Sequence, residues 1–160
     1  TGVQTCALPI CCDRVTKHLA STHLAGNPDR SYLGDTLRLG YAENTGAFLS
    51  LGANWPSPLR TIVFTIFPII VLTALAVIFA LRGRWTHLHA SGMALLWAGG
   101  VSNILDRVVR GSVVDFLNVG IGSLRTGIFN AADIAVLCGA LLLCIRADVH
   151  NPVGKNEYGV

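Results

Sequence analysis

The stretch Thr61–Leu81, TIVFTIFPIIVLTALAVIFAL, runs from Arg60 to Arg82 without one Asp, Glu, Lys or Arg. A hydrocarbon core of about 30 Å is crossed by roughly 20 helical residues, so this stretch predicts a membrane-spanning helix over about 61–81. Pro68 inside it predicts a kink, which membrane helices tolerate. The same reading repeats along the chain. A second uncharged window, 85–105, carries His87 and His89 at its start and predicts a span over about 87–106. A third, 126–145, is interrupted by one charge, Asp133. Composition agrees, because 52% of the 160 residues are hydrophobic and only 13% are charged. An average soluble domain has about 45–50% and about 25%. So little charge cannot coat a water-facing globule, and so apolar a chain is not disordered.

The remaining segments set the organisation. Residues 1–10, TGVQTCALPI, lack the basic start and apolar core of a signal peptide. They resemble a translated sequencing adapter and are set aside as non-native, leaving one domain over 11–150 and a tail at 151–160. Asp13-Arg14-Val15-Thr16-Lys17 then reads as the tail of a first span whose body is missing. Turn signals at Asn27-Pro28-Asp29 and Leu33-Gly34-Asp35, with alternation over Thr36–Tyr41, predict a small β-rich lobe within 18–59. Gly111–Gly120 predicts a second short strand or a re-entrant segment. Arg82 and Arg84 in one short loop, with Arg146 and Lys155 in the tail, would put that side in the cytoplasm. The other side holds more basic residues in total, among them Arg30, Arg38, Arg107, Arg110 and Arg125, so the count alone does not settle the topology. The fold expected is an all-α membrane bundle of four spans, the first truncated, with a small β-rich lobe.

Twelve scattered Lys/Arg and a net charge of +3 make no nucleic-acid patch. Cys6, Cys11, Cys12, Cys138 and Cys144 contain no C-x-x-C pair, so neither a zinc site nor a disulfide framework is expected. They are read as inert core residues.

Polar residues inside the apolar runs carry the functional signal. Asp133 falls about eight residues into its span, where a lone carboxylate costs about 2.5–3.5 kcal/mol. Asn130, three residues earlier, could donate a hydrogen bond to it on the same helical face. Asn103, Asp106 and Arg107 share one face of the preceding span, at i, i+3 and i+4. At a helix end Asp106 and Arg107 would simply pair with each other. Asn103, among Ala98, Gly99, Gly100 and Ser102, sits where helices approach closely. Asp115 lies between Val114 and Phe116, an odd place for a surface charge. Should Asp115 and Asp133 meet, they would share one proton. One would then activate a water while the other polarised a carbonyl. If they do not meet, a small transporter or a structural subunit with polar helix contacts remains.

Five segments then resemble a known family in their order. They are Asp13–Lys17, Asn44-Thr45-Gly46-Ala47-Phe48, Ser102-Asn103-Ile104-Leu105-Asp106-Arg107, Val113-Val114-Asp115-Phe116 and Phe129-Asn130-Ala131-Ala132-Asp133. Together they are similar to lipoprotein signal peptidase, also called signal peptidase II, a four-span aspartyl protease of the bacterial cytoplasmic membrane. The resemblance implies cleavage of prolipoprotein signal peptides just before a diacylglyceryl-modified Cys. It implies Asp115 and Asp133 as the catalytic pair. Asn103, Arg107 and Asn130 would support the site and hold the substrate. Asn44 and Gly46 would border the substrate from the lobe, and Asp13, Lys17 and Asp106 would give further support. It also implies no metal or other cofactor, no nucleic acid, lipid surroundings, a monomer, and a site toward the outer face. Arg14 departs from the family, standing where Gln is common.

Overall fold

The computed structural model describes residues 2–47, 51–82 and 85–145. It is mostly helical, with one small antiparallel sheet. Helix α1 spans Gly2–His23, followed by strands β1 (Arg30–Tyr32) and β2 (Leu37–Asn44). Helix α2 (Ser57–Thr61) continues through a π-helical turn, Ile62–Ile66, into α3 (Phe67–Arg82). After α4 (His87–Arg110) come β3 (Val113–Ile121), β4 (Leu124–Arg125) and α5 (Ala131–Cys144).

The π turn sits just ahead of Pro68. A proline ring collides with the carbonyl four residues back in a regular helix. Here the Phe67 amide reaches back five residues to the Ile62 carbonyl, widening the turn where that collision would fall. Ser57–Leu81 is one helix long and apolar enough to cross a membrane. Its Ile66, Phe67, Ile70 and Leu81 are exposed, as are Leu137 and Leu141 of α5.

Helices α4 and α5 pack most intimately, and glycine is the reason. A Cβ on Gly99 would stand 2.4 Å from the Ala132 carbonyl oxygen, and one on Gly139 would stand 2.5 Å from the Leu96 amide. Missing side chains let the two backbones approach. Helix α1 lies against both.

The two lobes expected from sequence form a single sheet of order β1-β2-β3-β4. Val114 and Phe116 of β3 bury one face against Ala20 and Leu24 of α1. Asp115 between them therefore points to the opposite face. Strand β2 carries a bulge between Leu39 and Ala42, set by Leu39 opposite Leu117 and Ala42 opposite Asp115. The extra residue keeps Asn44 on the same face as Asp115, its diagonal neighbour; without it the register slips and Asn44 turns away. Gly40 lies in the bulge, where a Cβ would fall 2.2 Å from the Asp29 carboxylate.

Several boundaries differ from expectation. Residues 2–10 are helical, so Asp13–Lys17 lies in the middle of α1. Residues 18–23, assigned to the lobe, are also helical, because Ala20 and Leu24 repeat at four residues and dock on the sheet. The last helix begins at Ala131 rather than 126, because the Phe129 amide donates to the Leu117 carbonyl at 2.8 Å and the Leu117 amide returns the bond. Cys11, Cys12, Cys138 and Cys144 are exposed, not core; the helices meet through glycine and polar side chains, and the thiols sit on the outer faces. Arg84, Arg146, Lys155 and the tail at 151–160 lie outside the described residues, as does Phe48.

Candidate active site

Asp13 and Lys17 stand one turn apart on α1, and Ser102, Asn103 and Asp106 share one face of α4. Lys17 Nζ is buried, donates to Asp106 Oδ2 at 2.7 Å and Asn103 Oδ1 at 2.8 Å, and forms an ion pair with Asp13 Oδ2 at 2.7 Å. One ammonium thus joins two carboxylates and an amide oxygen. Asp13 also accepts from Ser102 Oγ at 2.6 Å and from the Ala132 amide at 2.9 Å. Arg14 donates to Asp106 and to the Ser102 carbonyl. Two carboxylates and two cations thus balance inside the bundle, each with hydrogen bonds that offset its desolvation. Asp106 pairs with Arg14 and Lys17 rather than with Arg107, because α1 covers that side of α4.

This cluster orients what lies above it. Lys17 can only donate, so Asn103 must turn its oxygen to Lys17 and its NH₂ group outward. That group donates to Asp133 Oδ1 at 2.8 Å. Asp133 is not deep in a helix as its span position suggested. It is the third residue of α5, in a capping box with Asn130. The Asn130 side chain accepts from the Asp133 amide at 3.0 Å, and the Asn130 backbone N–H donates to Asp133 Oδ2 at 3.1 Å. A carboxylate in the first turn of a helix is favoured by the helix dipole. The cost assigned to a mid-span Asp therefore does not apply.

Asn130 also reaches the other acid. Its Nδ2 donates to Asp115 Oδ1 at 2.6 Å. The second oxygen of Asp115 accepts from Asn44 Nδ2 at 2.9 Å. One asparagine therefore holds both carboxylates, one through its side chain and one through its backbone. Asp115 is almost completely buried, and burial pushes its carboxyl up to about 6. The hydrogen bonds from Asn44 and Asn130 oppose that rise, and the neighbouring Asp133 charge adds to it.

Arg107 leaves the α4 face in another direction. Its Nη2 donates to the Gly46 carbonyl at 2.7 Å and its Nη1 to the Asn103 carbonyl at 3.3 Å. Asn44 holds the same loop, accepting from the Gly46 amide at 2.9 Å and donating to Ala47 O at 2.8 Å. Gly46 has no room for a side chain, since a Cβ would lie 2.2 Å from the Leu51 carbonyl oxygen. Thr126, Phe129, Asp133, Ile134 and Leu137 line a groove of about 450 Å³ that is almost wholly apolar. Asp133 is its one charged wall. All ten residues singled out from the sequence thus join one connected network. Sequence reasoning missed Ser102 and the Ala132 amide as partners of Asp13, and Arg14 as a partner of Asp106. Only the four-residue spacing of Ser102 and Asp106 hinted at a shared face. Among the described residues, no three His, Cys, Asp or Glu side chains cluster to hold a metal ion.

Comparison with known proteins follows the same residues. The family model described as signal peptidase (SPase) II matches residues 5–148. The lipoprotein signal peptidase of Borrelia duttonii is 36% identical over 139 residues, covering 83% of this chain and 81% of that protein. That of Chlorobium phaeobacteroides is 38% identical over 148 residues, covering 87% of this chain and 90% of the other. A bacterial membrane enzyme solved by the in meso method at 2.3 Å superposes with a TM-score of 0.78. It is 27% identical, with 89% of this chain and 84% of that chain covered.

Proposed function

The chain belongs to the signal peptidase II family, and from that premise we propose that Asp115 and Asp133 are its catalytic pair. The protein is an aspartic-type peptidase of the bacterial membrane that removes signal peptides from prolipoproteins. The observation that carries the assignment of the pair is Asn130, which grips both carboxylates beside an apolar groove.

The two acids work as a pair that carries one proton between them. Asp115, buried and pushed up to about 6, donates that proton toward the scissile carbonyl. Asp133, on the wall of the groove, is the partner that draws a proton from the attacking water. Proton transfer back to the leaving amide nitrogen completes cleavage with no covalent intermediate. Asn103 and Asn130 keep Asp133 aimed, and Lys17 keeps Asn103 from flipping. Arg107, Gly46 and Asn44 hold the loop that borders the substrate peptide. The groove receives apolar signal-peptide side chains, and the acyl chains on the substrate Cys remain in lipid.

In this reading the cut falls just before the diacylglyceryl-modified Cys. Four spans are supplied by α1, the Ser57–Arg82 helix, α4 and α5. The sheet and the acid pair lie at the outer face, and the enzyme acts as a monomer. The exposed apolar faces of α3 and α5 support the lipid contact. Asp115→Asn and Asp133→Asn are each expected to lower cleavage of a diacylglyceryl-modified prolipoprotein by about 10³-fold or more, with membrane insertion intact. Full activity in either variant would rule out the pair.

A further inference from the structure

Most partly or fully buried cations in this protein have a carboxylate. Arg14 and Lys17 take Asp106 and Asp13, while Arg38 and Arg125 take Asp35. Arg60 and Arg107 are the exceptions. Both are half-buried, and among the described residues neither has an ion-pair partner. Their Nε–H groups are shielded from solvent and lack an acceptor among those residues. The hydrogen bonds that the two guanidinium groups do make go to backbone carbonyls. Arg60 Nη1 reaches Ala53 O at 3.4 Å, and Arg107 reaches Gly46 O and Asn103 O.

These two side chains line one cavity of about 400 Å³. Thr45, Ser57, Thr61 and Thr65 add hydroxyls to its wall, and no carboxylate lines it. Arg107 feels the charges of Asp133, Asp115 and Asp106 without a direct ion pair, and two partly desolvated guanidinium groups with an unmet Nε–H are costly. Thr45 and Thr61 donate to the Ala53 and Ser57 carbonyls, which leaves the Ser57 and Thr65 hydroxyls beside the two guanidinium groups, a set that suits an anion with several oxygens. We propose that this cavity binds the phosphodiester of a phospholipid headgroup. Its position favours lipid over free phosphate. Trp55 stacks on Phe64 at the cavity wall with ring centroids 5.6 Å apart, and Trp55 is exposed. Tryptophan gathers at headgroup level, and basic pockets beside spanning helices hold lipid headgroups. Leu59, Ile62 and Ile66, exposed on the same helix, offer acyl chains an apolar surface. The choice of lipid rests on the membrane placement proposed above; the capacity for phosphate rests on the cavity alone.

The test is binding rather than cleavage, so it stands apart from the catalytic assignment. The full chain is purified in detergent, stripped of lipid, and titrated with phosphatidylglycerol while bound lipid is followed by native mass spectrometry. Parallel titrations use a glycosyl diacylglycerol with the same acyl chains, and inorganic phosphate. Phosphatidylglycerol should bind at one site per chain, and Arg60→Gln should weaken it by about tenfold, the loss expected for a charge-assisted hydrogen bond. Arg60→Lys should recover part of the loss. Thr65→Val, which removes one wall hydroxyl and no bond that holds the fold, should weaken binding by a smaller factor. Equal binding by parent and both Arg60→Gln and Thr65→Val would overturn the proposal. So would equal binding of the glycolipid, equally tight binding of inorganic phosphate, or displacement of the lipid by a diacylglyceryl-modified substrate peptide.

Discussion

At the scale of single residues, the arrangement depends on donors that cannot be exchanged. Lys17→Met leaves Asp13 buried with no cation and Asp106 with Arg14 alone, and should cost about 3–5 kcal/mol. Denaturant titration in detergent micelles measures it, and a change below 1 kcal/mol would mean the cluster is not stabilised by its ammonium. The acid pair gives a signed pH dependence. Asp115 is raised, so it is protonated below about 6 and loses its proton as pH rises past that value. Free enzyme should therefore show kcat/KM falling on the alkaline side from about pH 6, as a property of the pair. Asn44 lowers the Asp115 value through its hydrogen bond, so Asn44→Ala should move that limb to higher pH. A flat profile, or a limb moving to lower pH, contradicts the assignment. The acids and asparagines were legible in the sequence because polar side chains stand out in apolar runs. Their partners were not, since Lys17 and Asn103 lie 86 residues apart and only the packing of α1 on α4 joins them.

Among the elements, the α4–α5 contact decides where Asp133 stands. Gly99→Val places methyl groups on the Ala132 carbonyl and must push α5 away. A loss of about 1–3 kcal/mol is expected from overpacking, together with a larger fall in kcat than in KM. Stability and kinetics unchanged from the parent would mean that the helices tolerate wider spacing. The helices themselves were readable from gaps between charges, but their ends were not. The start of α5 is fixed by Phe129 pairing with Leu117 and by the Asn130 cap, neither of which hydropathy registers. Pro68 was read as a kink, and the structure meets it with a π turn that ends two residues upstream, at Ile66.

For the whole molecule, orientation is the open quantity with a direct test. In a cysteine-free background, Leu33→Cys in the exposed β1–β2 turn should react with a membrane-impermeant maleimide in intact spheroplasts. Cys144, restored alone at the far end of α5, should react only after permeabilisation. The reverse pattern would place the sheet in the cytoplasm. Alternation over Thr36–Tyr41 and the glycines around Val113–Phe116 announced strands, yet as two lobes. Their union needs β2 and β3 to pair across 69 to 82 residues, with a bulge that local pattern does not encode.

Three helices are tied at one height. Gly99 seats Ala132 against α4, and the Ala132 amide hangs from Asp13 of α1, one position before Asp133. The enzyme therefore behaves as a depth gauge with its blade clamped. On the proposed reading, a substrate must rise or sink until its bond meets that fixed level, with the lipid on its cysteine setting the altitude.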